Sequence, residues 1–193
     1  SFGPGWIIPR LRNLKEAIPS AEVELRMFAN DPSLANTIAD AFVTANKVVR
    51  GFSSVHLFDE ELIPVSLSGR FDDQPLITTS ANRERYAADW NAYAGKHARK
   101  LRQFDRRQFI PCSHYVFALE LAKADMGIAL VPDFLARELT STGPLKMMGR
   151  ETVRSGRSYC FVVKDARKDE PALSAMARWF AEQAALMRAP GKA

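Results

Sequence analysis

Apolar positions along this chain switch repeatedly between helical and strand spacing. Trp6, Ile7, Leu11 and Leu14 recur at near-helical intervals, so residues 5–17 are predicted as a helix, with Pro9 early enough for its missing N–H to be tolerated and Pro19 beyond its end. Val23, Leu25 and Met27 then alternate with Glu22, Glu24 and Arg26, the period of a strand packed on one face. Asp31-Pro32-Ser33 opens a short helix, and Ala39 to Val43 is the next strand. Between Val55 and Val65, apolar stretches flank Asp59-Glu60-Glu61, which predicts two short strands separated by an acidic turn.

The second half has the same alternation. Gly69 to Pro75 is a polar linker, Leu76 to Thr79 a strand, residues 83–95 a helix, and Lys100 to Phe104 a charged strand. Ser113 is placed to cap a helix from about His114 to Ala124, and Gly127 stops it. Ile128 to Val131 is a short buried strand closed by Pro132, followed by a helix from Asp133 to Leu139. Ser158 to Val163 is another strand, and Leu173, Met176, Phe180 and Ala184 mark one face of a helix over 172–186. Strands alternating with helices predict an α/β fold with mainly parallel sheets. The natural divisions fall near Leu67 and before Tyr159, giving two lobes crossed twice by the chain, with a cleft of the kind that holds small ligands.

Composition narrows the function classes. With 193 residues, 47% of them hydrophobic, the chain has apolar surface for a sizeable core. No run reaches the roughly 18–20 apolar residues of a membrane helix, and the start lacks the pattern of a secretion signal, so a cytoplasmic location is expected. Cys112 and Cys160 are too few for a disulfide framework and read as small buried or half-buried residues; the alternative is redox sensing by Cys112, just before a predicted helix start, where a thiolate would be favoured. The scattered His56, His97 and His114 suggest no metal site. The net charge of +5 is concentrated in residues 81–115, with eight Lys or Arg against three Asp or Glu. A solvated helix face explains this better than a base-stacking platform, because Arg99-Lys100-Leu101-Arg102 lacks interleaved aromatics. Phosphate-loop and dinucleotide-loop patterns are absent, and Ser113-His114 lacks the nucleophile-elbow glycines and a placed acid; no catalytic residues and no cofactor are expected.

Several blocks resemble the effector-binding (substrate-binding) domain of LysR-type transcriptional regulators. They are Ser1-Phe2-Gly3 with Trp6-Ile7-Ile8-Pro9-Arg10-Leu11, Ile18-Pro19 with Val23-Glu24-Leu25, Leu57 to Val65, Ala124 to Pro132, and residues 159–180. The blocks follow in family order over almost the whole chain. The resemblance implies an α/β fold of two Rossmann-like lobes joined by crossover strands, type 2 periplasmic-binding-protein-like. Lobe I would be residues 1–66 with 160–193 and lobe II residues 67–159. It also implies a homodimer, often a tetramer at full length, through helices 5–17 and 114–124. Operator DNA would be read by an N-terminal helix-turn-helix domain absent from this chain, and there is no membrane partner.

By match to the family, the effector-binding residues would be Ser1, Phe2 and Gly3 on one cleft wall, facing Thr78, Thr79, Ser80 and Ser113 on the other. Free N–H groups behind Ser113 suit an anion, although Ser113 as a plain helix cap and Thr79 as a turn residue are equally consistent with the pattern. The expected ligand is a small polar or anionic molecule that modulates DNA binding or transcription. Three departures bear on its chemistry: Thr44 stands where the family often has arginine, Asp125 where glycine is common, and Ser66-Leu67-Ser68 replaces a serine-proline entry to lobe II. The alternatives are a periplasmic solute-binding protein of a transport system, which shares the two-lobed fold, and a domain that has lost its ligand and serves only in dimerisation.

Overall fold

A computed structural model of the chain describes residues 2–28, 30–71, 73–80, 86–97 and 107–188. The chain forms two compact units, each built from two separated stretches. The first unit comprises Ser1–Trp6 and Glu61–Ser155; the second comprises Ile7–Glu60 and Gly156–Ala193.

Strand β1 is Ala41–Thr44, β2 Phe52–Ser66, β3 Leu76–Thr78, β4 Phe109–Pro111, β5 Ile128–Pro132, β6 Lys146–Met147 and β7 Val153–Lys164. Helix α1 is Leu11–Ala17, α2 Ala88–His97, α3 Tyr115–Lys123, α4 Asp133–Thr142 and α5 Pro171–Arg188. In the first unit the strand order is β2-β5-β3-β4, with β6 also on β2. Here β3 pairs in parallel with β4 and β5, while β2 runs antiparallel to β5 and β6. In the second unit β1 pairs antiparallel with β7, from Ala41 opposite Val163 to Thr44 opposite Cys160. The pairing is therefore mixed rather than mainly parallel: the α/β alternation governs β3, β4 and β5, and the long strands β2 and β7 break it.

In the first unit Leu76, Ile77 and the run Ile128 to Val131 are buried, with α3 packed on β5 and β3. In the second, Phe161 stacks on Phe180 of α5 at 4.5 Å, and the Trp179 indole N–H donates to Asn13 Oδ1 at 2.8 Å, fastening α5 to α1.

Three sequence expectations are corrected. Residues 55–65 form one continuous strand, because the acidic trio is partnered rather than turned out: Asp59 accepts from Ser158 Oγ (2.6 Å), Glu60 from the Tyr159 hydroxyl (3.0 Å) and Glu61 from Thr152 Oγ1 (2.5 Å). Residues 23–27 keep their alternation but form no strand; among the described residues they have no pairing partner, and Met27 is 86% exposed. Asp31-Pro32-Ser33 opens no helix, only a turn closed by Asn36 N–H on the Ser33 carbonyl. The predicted strand at Lys100 to Phe104 and the basic run Arg99 to Arg102 lie outside the described residues.

Candidate functional site

The carboxyl ends of β3 and β4 lie side by side. Their register sets Thr78 opposite Pro111, and the Cys112 N–H donates to the Thr78 carbonyl at 2.9 Å just beyond it. Thr79-Ser80 and Cys112-Ser113-His114 therefore leave the sheet from one edge. The chain passes from β3 to β4 on one side and then to β5 on the other side of β3, and such a reversal of strand order leaves room for ligands outside the strand ends.

The β3 exit is held by a residue the sequence reading overlooked. Asp89, in the first turn of α2, is 9% exposed and accepts from Thr78 Oγ1 (2.6 Å), Thr79 N–H (3.1 Å) and Trp90 N–H (2.8 Å). Thr78 Oγ1 in turn accepts the Ser80 N–H at 3.1 Å, and the Trp90 indole donates to the Ile77 carbonyl at 2.8 Å. Thr78 is fully buried and its hydroxyl is engaged within the fold, while Thr79 and Ser80 are half-buried. The Ser80 carbonyl accepts from Ala87, which sits in left-handed conformation at φ 54° and turns the chain into α2.

Ser113 is not the cap of α3. The helix starts at Tyr115 behind an extended His114 (φ −146°, ψ 147°) with no side-chain cap bond, and Ser113 Oγ shares a 2.8 Å hydrogen bond with His114 Nδ1 on an exposed corner. The Phe117 and Ala118 N–H groups both donate to the His114 carbonyl, at 3.0 and 3.2 Å. Cys112 and Cys160 are both half-buried; burial pushes the Cys112 thiol up against the opposing pull of a His114 backbone hydrogen bond, and the Asp89 carboxylate adds to the rise, which disfavours a thiolate.

Phe2 stacks on Trp6 (4.9 Å between centroids) and meets Phe134 of α4 edge-on at 6.2 Å. Gly3 opens the helical turn Gly3–Ile7, and Ser1 lies outside the described residues. The structure thus brings Thr78, Thr79, Ser80 and Ser113 to one edge and anchors Phe2 on α4. The departures from the family pattern also have local roles. Thr44 donates to Asp31 Oδ2 at 2.7 Å, Asp125 takes the left-handed position (φ 57°) after α3 that glycine would fill, and Ser66 Oγ accepts the Gly69 N–H at 2.9 Å.

The model of the LysR substrate binding domain matches residues 1–185. The chain belongs to this family. Over 197 residues it is 26% identical to the HTH-type transcriptional regulator TrpI of Pseudomonas aeruginosa, and over 193 residues 21% identical to the glycine cleavage system transcriptional activator of Escherichia coli, covering 93% and 96% of this chain. It spans 63% of the length of each relative. The AmpR effector binding domain of Citrobacter freundii superposes with a TM-score of 0.74 at 18% identity, covering 96% of this chain and 94% of that one. The effector domain of AmpR from Pseudomonas aeruginosa gives 0.72 at 20%, covering 96% and 92%. These likenesses show the fold, the type 2 periplasmic-binding-protein-like α/β arrangement. A LysR substrate binding domain is the effector-binding part of a transcriptional regulator and not an enzyme, and nothing in the comparisons supports the transport reading. Among the described residues no helix is long and apolar enough to cross a membrane.

Proposed function

We propose that this LysR substrate binding domain senses a small polar or anionic molecule at the shared edge of β3 and β4, and that occupancy modulates DNA binding or transcription by its regulator. The observation that carries this reading is the Cys112 to Thr78 hydrogen bond, which sets the Thr79-Ser80 loop beside Ser113 and the start of α3. The loop supplies hydroxyls and the helix start supplies a positive dipole end, a pairing suited to an anion or polar group. Thr79, Ser80 and Ser113 are the contacts, Thr78 holds the loop from behind, and Phe2 and Gly3 form a further wall.

Calorimetric titration with a panel of amino acids, mono- and dicarboxylates and phosphate tests the site. Thr79→Val and Ser113→Ala each remove one hydrogen bond of about 0.5–1.5 kcal/mol, so each is expected to weaken the responding ligand roughly 3- to 10-fold. A ligand whose affinity neither variant changes binds elsewhere.

The domain works as a homodimer in the cytoplasm, with operator DNA read by segments of the regulator other than residues 1–193. Support for the dimer comes from apolar side chains left in water: Val116 and Phe117 on α3 (Phe117 56% exposed) and Ile8 just ahead of α1. Such faces suit an isologous contact. The regulatory role is supported by the relatives' names, one of which carries the helix-turn-helix label.

A further inference from the structure

Ser113 and His114 form the exposed corner at which the chain leaves β4 for α3. The backbone there is held from several sides. The Cys112 N–H donates to the Thr78 carbonyl at 2.9 Å, and the His114 carbonyl accepts from the Phe117 N–H, the Ala118 N–H and the Cys112 thiol at 3.0, 3.2 and 3.7 Å. What can still vary at this corner is the position of a proton. Ser113 Oγ and His114 Nδ1 share a 2.8 Å hydrogen bond, and both side chains are open to water.

That bond can run in either direction, and the direction decides what Ser113 offers a ligand. A serine hydroxyl has one hydrogen and two acceptor positions. Against a neutral imidazole whose hydrogen sits on Nε2, the Ser113 hydroxyl donates its only hydrogen to Nδ1 and presents lone pairs alone, which repel an anion. Once the imidazole takes up a proton, Nδ1–H donates to Oγ instead. The serine hydrogen is then free for a ligand, and a positive charge stands beside it. Imidazole is the side chain whose ordinary titration lies between about pH 5 and 8.

The other charged and titratable groups around this corner are already engaged. Strands β3 and β4 and the Thr79-Ser80 loop carry no charged side chain. On α3, Glu120 and Lys123 pair with each other at 2.7 Å. On α2, the Asp89 carboxylate is taken up by Thr78 Oγ1, Thr79 N–H and Trp90 N–H, and the Cys112 thiol, pushed up by burial, keeps its hydrogen.

We infer that Ser113 and His114 form a proton-controlled donor switch, so that anion binding at the edge of β3 and β4 strengthens as His114 takes up a proton. The inference rests on the effector site proposed above and narrows its ligand class to an anion. By linkage, an anion that prefers the protonated pair also draws a proton onto His114.

Sulfate is the probe, because its charge stays constant over the range in which imidazole titrates. Calorimetry on the 193-residue chain is expected to show sulfate bound at least about tenfold more tightly at about pH 5.5 than at about pH 8.5. Between these limits binding is expected to take up protons, read from the dependence of the heat on buffer ionisation. Ring ¹⁵N shifts of His114 are expected to follow the same midpoint and, at the upper pH, to show the hydrogen on Nε2 and none on Nδ1. Two substitutions at exposed positions separate the switch from plain charge attraction. Ser113→Ala is expected to weaken sulfate roughly 3- to 10-fold at the lower pH and less than about twofold at the upper. His114→Gln, which takes up no proton, is expected to lose most of the pH dependence. An equal Ser113→Ala loss at both pH values, a hydrogen on Nδ1 of the neutral ring, or pH dependence kept in His114→Gln overturns the switch, while the site itself stands if Thr79→Val still weakens binding. Sulfate that binds at neither pH, or binds without regard to Thr79→Val, sinks the effector site and the inference with it.

Discussion

Removing the Asp89 carboxylate is the sharpest perturbation of the candidate site. Asp89→Ala withdraws the acceptor from Thr78 Oγ1 (2.6 Å), Thr79 N–H (3.1 Å) and Trp90 N–H (2.8 Å). Hydrogen bonds to a charged group contribute roughly 1.5–3 kcal/mol each, and a buried donor left unpaired costs about 1–3 kcal/mol. Thr78 is fully buried and its hydroxyl has nowhere else to turn, whereas the Thr79 amide is half-buried and water can recover part of its loss. Setting the relief of a desolvated carboxylate against these losses leaves a net destabilisation of about 3–4 kcal/mol for alanine. Asp89→Asn keeps one acceptor oxygen but turns an amide toward the other donors, for about 2 kcal/mol. Urea unfolding followed by tryptophan fluorescence reads both, because Trp90 neighbours the substitution; the alanine variant is expected to melt about 10 °C lower. An asparagine variant within 0.5 kcal/mol of the parent, on the scale of an ordinary surface substitution, would refute the idea that this carboxylate builds the loop.

Three further outcomes follow from other parts of the fold. At Gly127, where φ is +156°, an added Cβ would lie 2.4 Å from the Pro75 carbonyl oxygen, so Gly127→Ala is expected to destabilise by roughly 3 kcal/mol or more in the same unfolding assay. Tyr93 has its phenol raised from 10.0 to about 12, so the folded state binds the extra proton between those values and stability falls as pH rises through them, by up to about 3 kcal/mol; in Tyr93→Phe this part of the alkaline loss disappears from pH-dependent urea midpoints. Phe117→Asp places a charge on the exposed face of α3 and is expected to weaken the proposed dimer at least tenfold in sedimentation equilibrium, with the circular dichroism spectrum and melting temperature little changed.

The fold was legible where one segment carried its own reasons. Gly127 after an apolar helix and before Ile128 to Val131 gave the α3-β5 corner, and the spacing of Leu173, Phe180 and Ala184 gave α5. Reading failed where the decisive partner was far along the chain. Val23, Leu25 and Met27 show a strand's alternation, but alternation supplies no neighbour to pair with. Asp59-Glu60-Glu61 looked like a turn because Ser158, Tyr159 and Thr152, which partner it, are more than 90 residues away. Within the candidate site, Thr78, Thr79, Ser80 and Ser113 were marked by family pattern, and the structure sets them on one edge. Asp89 left no such mark: a single acid in a helix's first turn is ordinary, and what it does is fixed by a bond to a backbone amide ten positions upstream. The Ser113 cap failed for a local reason, since the neighbouring imidazole took its hydroxyl.

Because each unit draws on two separated stretches of polypeptide, no single cleavage releases either one intact. Residues 61–155 are a contiguous insert within the second unit, and their boundaries divide the acidic trio cleanly. Asp59 and Glu60 stay with Ser158 and Tyr159, and Glu61 travels with Thr152. A graft of 61–155 between related regulators therefore severs none of those three pairs. It does leave behind Trp6, a fully buried indole of the first unit, and Phe2 stacked upon it, so the transplanted cassette has to carry the hexapeptide Ser1–Trp6 as a second piece.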